Sequence, residues 1–87
     1  MLNIIYAPTF LRELKKMETN LQTEAIEKIC QFKEERNHRA LKVHKLNGRF
    51  SKCYSFSVNY KYRIIFEYLN KKEVALLDIG DHDVYEK

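Results

Sequence analysis

Phe50-Ser51-Lys52-Cys53-Tyr54-Ser55-Phe56-Ser57-Val58-Asn59, continued by Tyr60-Lys61-Tyr62-Arg63-Ile64-Ile65-Phe66-Glu67-Tyr68-Leu69, decides the fold class. In the first half Phe50, Tyr54, Phe56 and Val58 are apolar or aromatic, while Ser51, Cys53, Ser55, Ser57 and Asn59 are small or polar. The same parity runs on through Tyr60, Tyr62, Ile64, Phe66 and Tyr68. Successive strand residues face opposite sides of a sheet, so the pattern predicts half-buried strands. The shared parity assigns Phe50, Tyr54, Tyr60 and Tyr62 to the core rather than to base stacking. The other face carries Ser55, Ser57, Lys61 and Arg63. A slip of one residue would exchange the faces, so the burial of Arg63 against that of Tyr62 tests the register.

Downstream, Leu69-Asn70-Lys71-Lys72 reads as a turn, because Asn tolerates the left-handed conformation of a tight reversal. Glu73 to Ile79 includes Val74-Ala75-Leu76-Leu77 without alternation, which suits a central strand covered on both faces, and Gly80 closes it. Upstream, Leu2 to Tyr6 has the apolar, β-branched character of an opening strand, and Pro8 can start a helix without losing a helical hydrogen bond. Phe10, Leu14, Met17 and Leu21 recur at helical spacing. Thr19 followed by Gln22 fits a capping box for a second helix, which runs to about Arg36 and buries Ala25, Ile26, Ile29, Cys30 and Phe32. The expected architecture is α+β: an N-terminal strand and a helix pair packed on one face of an antiparallel sheet of four to five strands.

The 87 residues are read as a single domain spanning 1–87, since the chain has no repeat, low-complexity tract or Gly/Ser/Pro linker. Met1 to Tyr6 lacks the basic start of a signal peptide, and no apolar run approaches the roughly 20 residues that span a bilayer, so a cytoplasmic location is expected. Cys30 and Cys53 have no CxxC or histidine spacing and read as reduced thiols.

Charge is distributed unevenly. Arg36, Arg39, Lys42, Lys45, Arg49, Lys52, Lys61 and Arg63 fall in a stretch without Asp or Glu, giving it +8 in a chain whose net charge is only +4. A field of one sign attracts phosphates, whereas a mixed surface largely cancels itself. Lys45, Arg49 and Lys52 surround an expected Asn47-Gly48 turn, and with Lys61 they read as contacts to a nucleic-acid backbone.

Three residues stand out for chemistry. His82, in Ile79-Gly80-Asp81-His82-Asp83-Val84-Tyr85, follows a central strand and carries a ring able to give or take a proton near neutrality; the alternative is a solvated tail histidine. Arg63, held by a strand, is suited to gripping a phosphate through parallel hydrogen bonds, or else to an ion pair with Glu67 or Glu73. His44 is a secondary proton-transfer candidate or a solvated strand-edge residue. One imidazole flanked by Asp81 and Asp83 lacks a converging second ligand pair, so no metal site is expected.

The element order, Leu46-Asn47-Gly48-Arg49, Cys53-Tyr54-Ser55-Phe56, Tyr62-Arg63-Ile64-Ile65-Phe66 and the Gly80-x-His82-x-x-Tyr85 ending resemble the RelE/ParE superfamily of bacterial toxins over nearly the whole chain. That resemblance implies the toxin of a type II toxin-antitoxin system, closest to the histidine-using mRNA interferases. It implies cleavage of mRNA in the ribosomal A site, without metal or cofactor, by attack of a ribose 2′-hydroxyl on the adjacent phosphorus. By motif position Arg63 would stabilise the phosphate, His82 would act as acid or base, and Tyr85 would orient a nucleotide or assist proton transfer. Lys45, Arg49, Lys52 and Lys61 would hold the RNA or ribosomal RNA. A cognate antitoxin is the implied protein partner, and an oligomer with it is expected. Lysine-using members carry basic residues where this chain has Ser55 and Ser57, which puts the burden on His82. The alternative within the superfamily is a ParE-like toxin that inhibits DNA gyrase by binding.

Overall fold

The computed structural model describes residues 1–48 and 51–81. Strand β1 (Asn3–Tyr6) is followed by helix α1 (Pro8–Lys15), helix α2 (Thr19–Phe32) and a short 3-10 turn (Glu35–Asn37), and then by strands β2 (His44–Lys45), β3 (Tyr54–Ser57), β4 (Tyr62–Tyr68) and β5 (Glu73–Asp81). The five strands form one sheet in the order β1-β5-β4-β3-β2. From β2 to β5 each pair is antiparallel, as expected for a meander with short turns. The exception is β1, which lies parallel to β5, so the sheet is mixed. The intervening helices and strands supply the long connection that a parallel pair requires.

Alternation around β3 and β4 places the even face in the core as expected. Phe56, Ile64 and Phe66 are buried there, with Tyr54 and Tyr62 packed against them. Phe32 of α2 closes this layer, stacking on Phe56 at 4.3 Å and meeting Phe66 edge-on at 4.7 Å. Burying each such ring contributes about 1.5–3 kcal/mol. Val74 and Leu76 of β5 also enter the core, but the next core residue is Ile79 rather than Asp78. The register jumps between Ile65 and Phe66, leaving an extra residue near Leu77. This β-bulge switches the inward parity, which accounts for the lack of alternation in the sequence of β5.

Several expectations are corrected. Helix α2 buries Ala25, Ile29 and Phe32 as one stripe, whereas Ile26 is 53% exposed and Cys30 is also exposed. Each lies one position, or about 100°, past a core residue. The capping box does not form: Glu18 is the N-cap, Thr19 is already helical, and Gln22 donates to the carbonyl of Met17 at 2.7 Å. The helix ends at Phe32 rather than near Arg36. Tyr60 is not in the core but 95% exposed, because the chain turns between Ser57 and Tyr62 and the strand parity lapses there. Phe50 lies outside the described residues.

The comparison of Arg63 with Tyr62 gives an unexpected answer. Arg63 faces away from the helices, in register with Ser57, yet it is only 8% exposed and Tyr62 is only partly buried. The register is therefore right and the expected exposure of Arg63 is wrong: the β2 strand and the segment before it cover the guanidinium. No helix among the described residues is long and apolar enough to cross a membrane.

Candidate functional site

Arg63 forms the centre of the site. Its Nε donates to Ser55 Oγ at 3.0 Å and its Nη1 to Ser57 Oγ at 3.1 Å. Both serines reach it because β3 runs antiparallel to β4, with Ser57 opposite Arg63 and Ser55 two residues along on the same face. Nη2 donates to the Lys42 carbonyl at 3.2 Å and approaches His44 Nδ1 at 3.1 Å. His44 Nδ1 also lies 3.1 Å from the Lys42 carbonyl, so it accepts from Arg63 in one tautomer of the ring and donates to Lys42 in the other. A buried arginine is costly unless its donors are met, and these four contacts supply partners in fixed directions.

The backbone is bent to make this possible. Lys42 has φ 57°, in the left-handed region, and its carbonyl is one of the acceptors for Arg63. A non-glycine residue held there costs about 1–2 kcal/mol. The adjoining Leu41 carbonyl accepts from the Ser57 amide at 2.8 Å, so this segment is fastened to β3 at the same place.

Arg63 borders a groove of about 400 Å³ whose lining includes Lys28, Lys42, Ser57, Asn59 and Tyr60. The basic residues come from α2, from the segment before β2 and from β4. Lys28 lies outside the acid-free stretch, so sequence position gave no sign of its contribution. The register pairs Arg63 with Gly80 and Tyr62 with Asp81, bringing the end of β5 alongside the arginine. His82, Tyr85 and Arg49 lie outside the described residues.

The expected phosphate contacts do not form one group. His44 is opposite Ser55 and shares its face, whereas Lys45 is opposite Tyr54 on the reverse face. Lys45 and Lys52 line a separate depression with Tyr54, Glu67 and Tyr68. Lys61, in the turn before β4, sits with its ammonium 5.5 Å from the Tyr62 ring centroid. Near the Lys45 depression, burial and then the Glu67 carboxylate push the Cys53 thiol up, and burial followed by Tyr54 and Glu35 does the same to the Tyr68 phenol. Sequence reading missed Ser55 and Ser57 as partners of Arg63, although a Ser-x-Ser pattern facing an Arg across a short hairpin was a usable signal.

A family model described as the RelE-like toxin of type II toxin-antitoxin system HigB matches residues 12–82, and the chain belongs to that family. As the toxin of such a system it has a cognate antitoxin as partner. No curated protein matches the chain. Among solved structures, a conserved hypothetical protein from Helicobacter pylori is 17% identical with a TM-score of 0.75, covering 95% of this chain and 97% of its own. The RelBE2 toxin-antitoxin complex from Mycobacterium tuberculosis gives 14% identity and 0.73, covering 93% and 98%. YafQ from E. coli gives 14% identity and 0.70 over 100% of both chains. These similarities establish the shared fold.

Proposed function

We propose that this toxin is an endoribonuclease, acting as a single domain in the bacterial cytoplasm, that cleaves mRNA on the ribosome and so blocks translation. The observation that carries this reading is the arginine held by Ser55, Ser57, the Lys42 carbonyl and His44 beside a groove lined by Lys28 and Lys42. In 2′-hydroxyl attack the ribose oxygen bonds to phosphorus, its proton passes to a base, and the 5′-oxygen leaves with a proton from an acid. The products are a 2′,3′-cyclic phosphate and a 5′-hydroxyl. Negative charge grows on the phosphoryl oxygens between those events. A positive group fixed in advance stabilises that charge without reorganising during the reaction.

Arg63 takes this electrostatic role. His82 follows Asp81, whose partner Tyr62 adjoins Arg63, and is assigned proton transfer; Tyr85 is assigned nucleotide orientation. His44 is a second proton carrier, since hydrogen bonding through Nδ1 leaves Nε2 for exchange. Lys45, Arg49, Lys52 and Lys61 contribute longer-range attraction to RNA.

Brief expression followed by mapping of cellular RNA ends tests the reading. New 5′ ends within reading frames are expected, and they should vanish with His82→Ala or Arg63→Ala in protein that still folds. Intact messages accompanied by DNA damage would identify a gyrase inhibitor instead.

A further inference from the structure

Tyr60 is 95% exposed, yet the turn that carries it is firmly tied down. Asn59 Oδ1 accepts from the backbone amides of Lys61 and Tyr62, each at 2.8 Å, while its Nδ2 donates to Glu24 Oε1 of α2 at 2.8 Å. One amide side chain thus shapes the turn and pins it to a helix, fixing the backbone on which the tyrosine stands. Tyr60 is one of the residues that line the same groove as Lys28, Lys42 and Arg63. A single exposed tyrosine is unremarkable on a protein surface. Here it shares a concavity with three cations, and a π-face beside fixed positive charge is how proteins hold single-stranded nucleic acid: cations track the phosphates and aromatic rings receive the bases.

We propose that Tyr60 is a base-stacking position, receiving a nucleobase adjacent to the phosphate that Arg63 serves. The inference rests on the ribonuclease reading and adds a subsite to it. The ring provides sequence-tolerant binding, since every base has a π-face, and it sets the strand's position along the groove. Asn59 and Glu24 act as positioning residues by holding the turn.

The test uses the full toxin and a short 2′-O-methyl oligoribonucleotide carrying one 2-aminopurine, which this chemistry cannot cleave and whose fluorescence falls on stacking. Tyr60→Ala should weaken binding about tenfold and abolish the quenching, whereas Tyr60→Phe should retain both. Because the side chain is almost wholly exposed, the melting temperature should hardly change. Wild-type affinity and quenching in Tyr60→Ala would overturn the inference, as would a loss confined to antitoxin binding. Failure of the wild-type toxin to bind the oligonucleotide, with mRNA still cut in cells, would overturn the stacking site and spare the nuclease reading. Absence of both binding and cleavage would overturn both.

Discussion

Arg63 Nε donates to the hydroxyl of Ser55 across 3.0 Å, and Ser55 is fully buried. The two serines of β3 serve the arginine directly: their small hydroxyls accept from the guanidinium and leave it room. Ser55→Ala removes an acceptor from a buried donor, which costs about 1–3 kcal/mol. At about 4–8 °C per kcal/mol for a domain of this size, thermal unfolding should show the loss clearly. Ser55→Lys should be worse, because it forces a second cation into the same buried space, and it should yield no gain in cleavage.

Lys42 offers a substitution whose effects on stability and binding diverge. Glycine occupies the left-handed region freely, so Lys42→Gly should raise stability by about 0.5–1 kcal/mol. It also removes a cation from the groove, so RNA binding should weaken and its salt dependence become shallower. Urea denaturation and binding at two salt concentrations would check the two effects separately. A fall in both stability and affinity would mean that φ 57° is not strained here.

Phe32 stacks on both Phe56 and His38, with centroids 4.3 and 4.6 Å away. Phe32→Ala should cost about 3–5 kcal/mol, a large share of the stability of a domain of this size. The variant should be depleted from cells expressed alone and partly recovered when the antitoxin is co-expressed, because a partner that binds only the folded state stabilises it. Denaturant midpoints of the purified variant measure the first effect and immunoblots the second.

The two cysteines should react unequally. Cys30 is exposed on α2, while burial and the Glu67 carboxylate push the Cys53 thiol up. Since the thiolate is the reacting form, an alkylating reagent at neutral pH should modify Cys30 first, and the rate at Cys53 should keep rising above the pH at which an ordinary thiol has ionised. Mass spectrometry of time points would show this order, and Glu67→Gln should speed the reaction at Cys53.

What could be read from sequence follows the range of the forces involved. Alternation in Tyr54 to Tyr68 is a local property and located β3, β4 and their core face. The bulge at Leu77 was hidden because the unbroken run Val74-Ala75-Leu76-Leu77 is apolar in either parity. Arg63 was visible as an unusual strand cation, but not its burial, which depends on Lys42 and His44 returning from some twenty residues earlier. Tyr60 was misassigned because a periodic pattern says nothing of where a turn interrupts it. Lys28 entered the groove through helix packing, for which a count of charges along the chain has no signal.

The parallel pairing of β1 with β5 also constrains when the molecule can exist during its own synthesis. Asn3 emerges early from a translating ribosome, but its partner Glu73 follows 70 positions later, and Phe10 cannot be enclosed until β5 arrives beside α1. Such distant contacts delay folding until the whole set can close together. Thus a nascent copy has no assembled groove until β5 has been made.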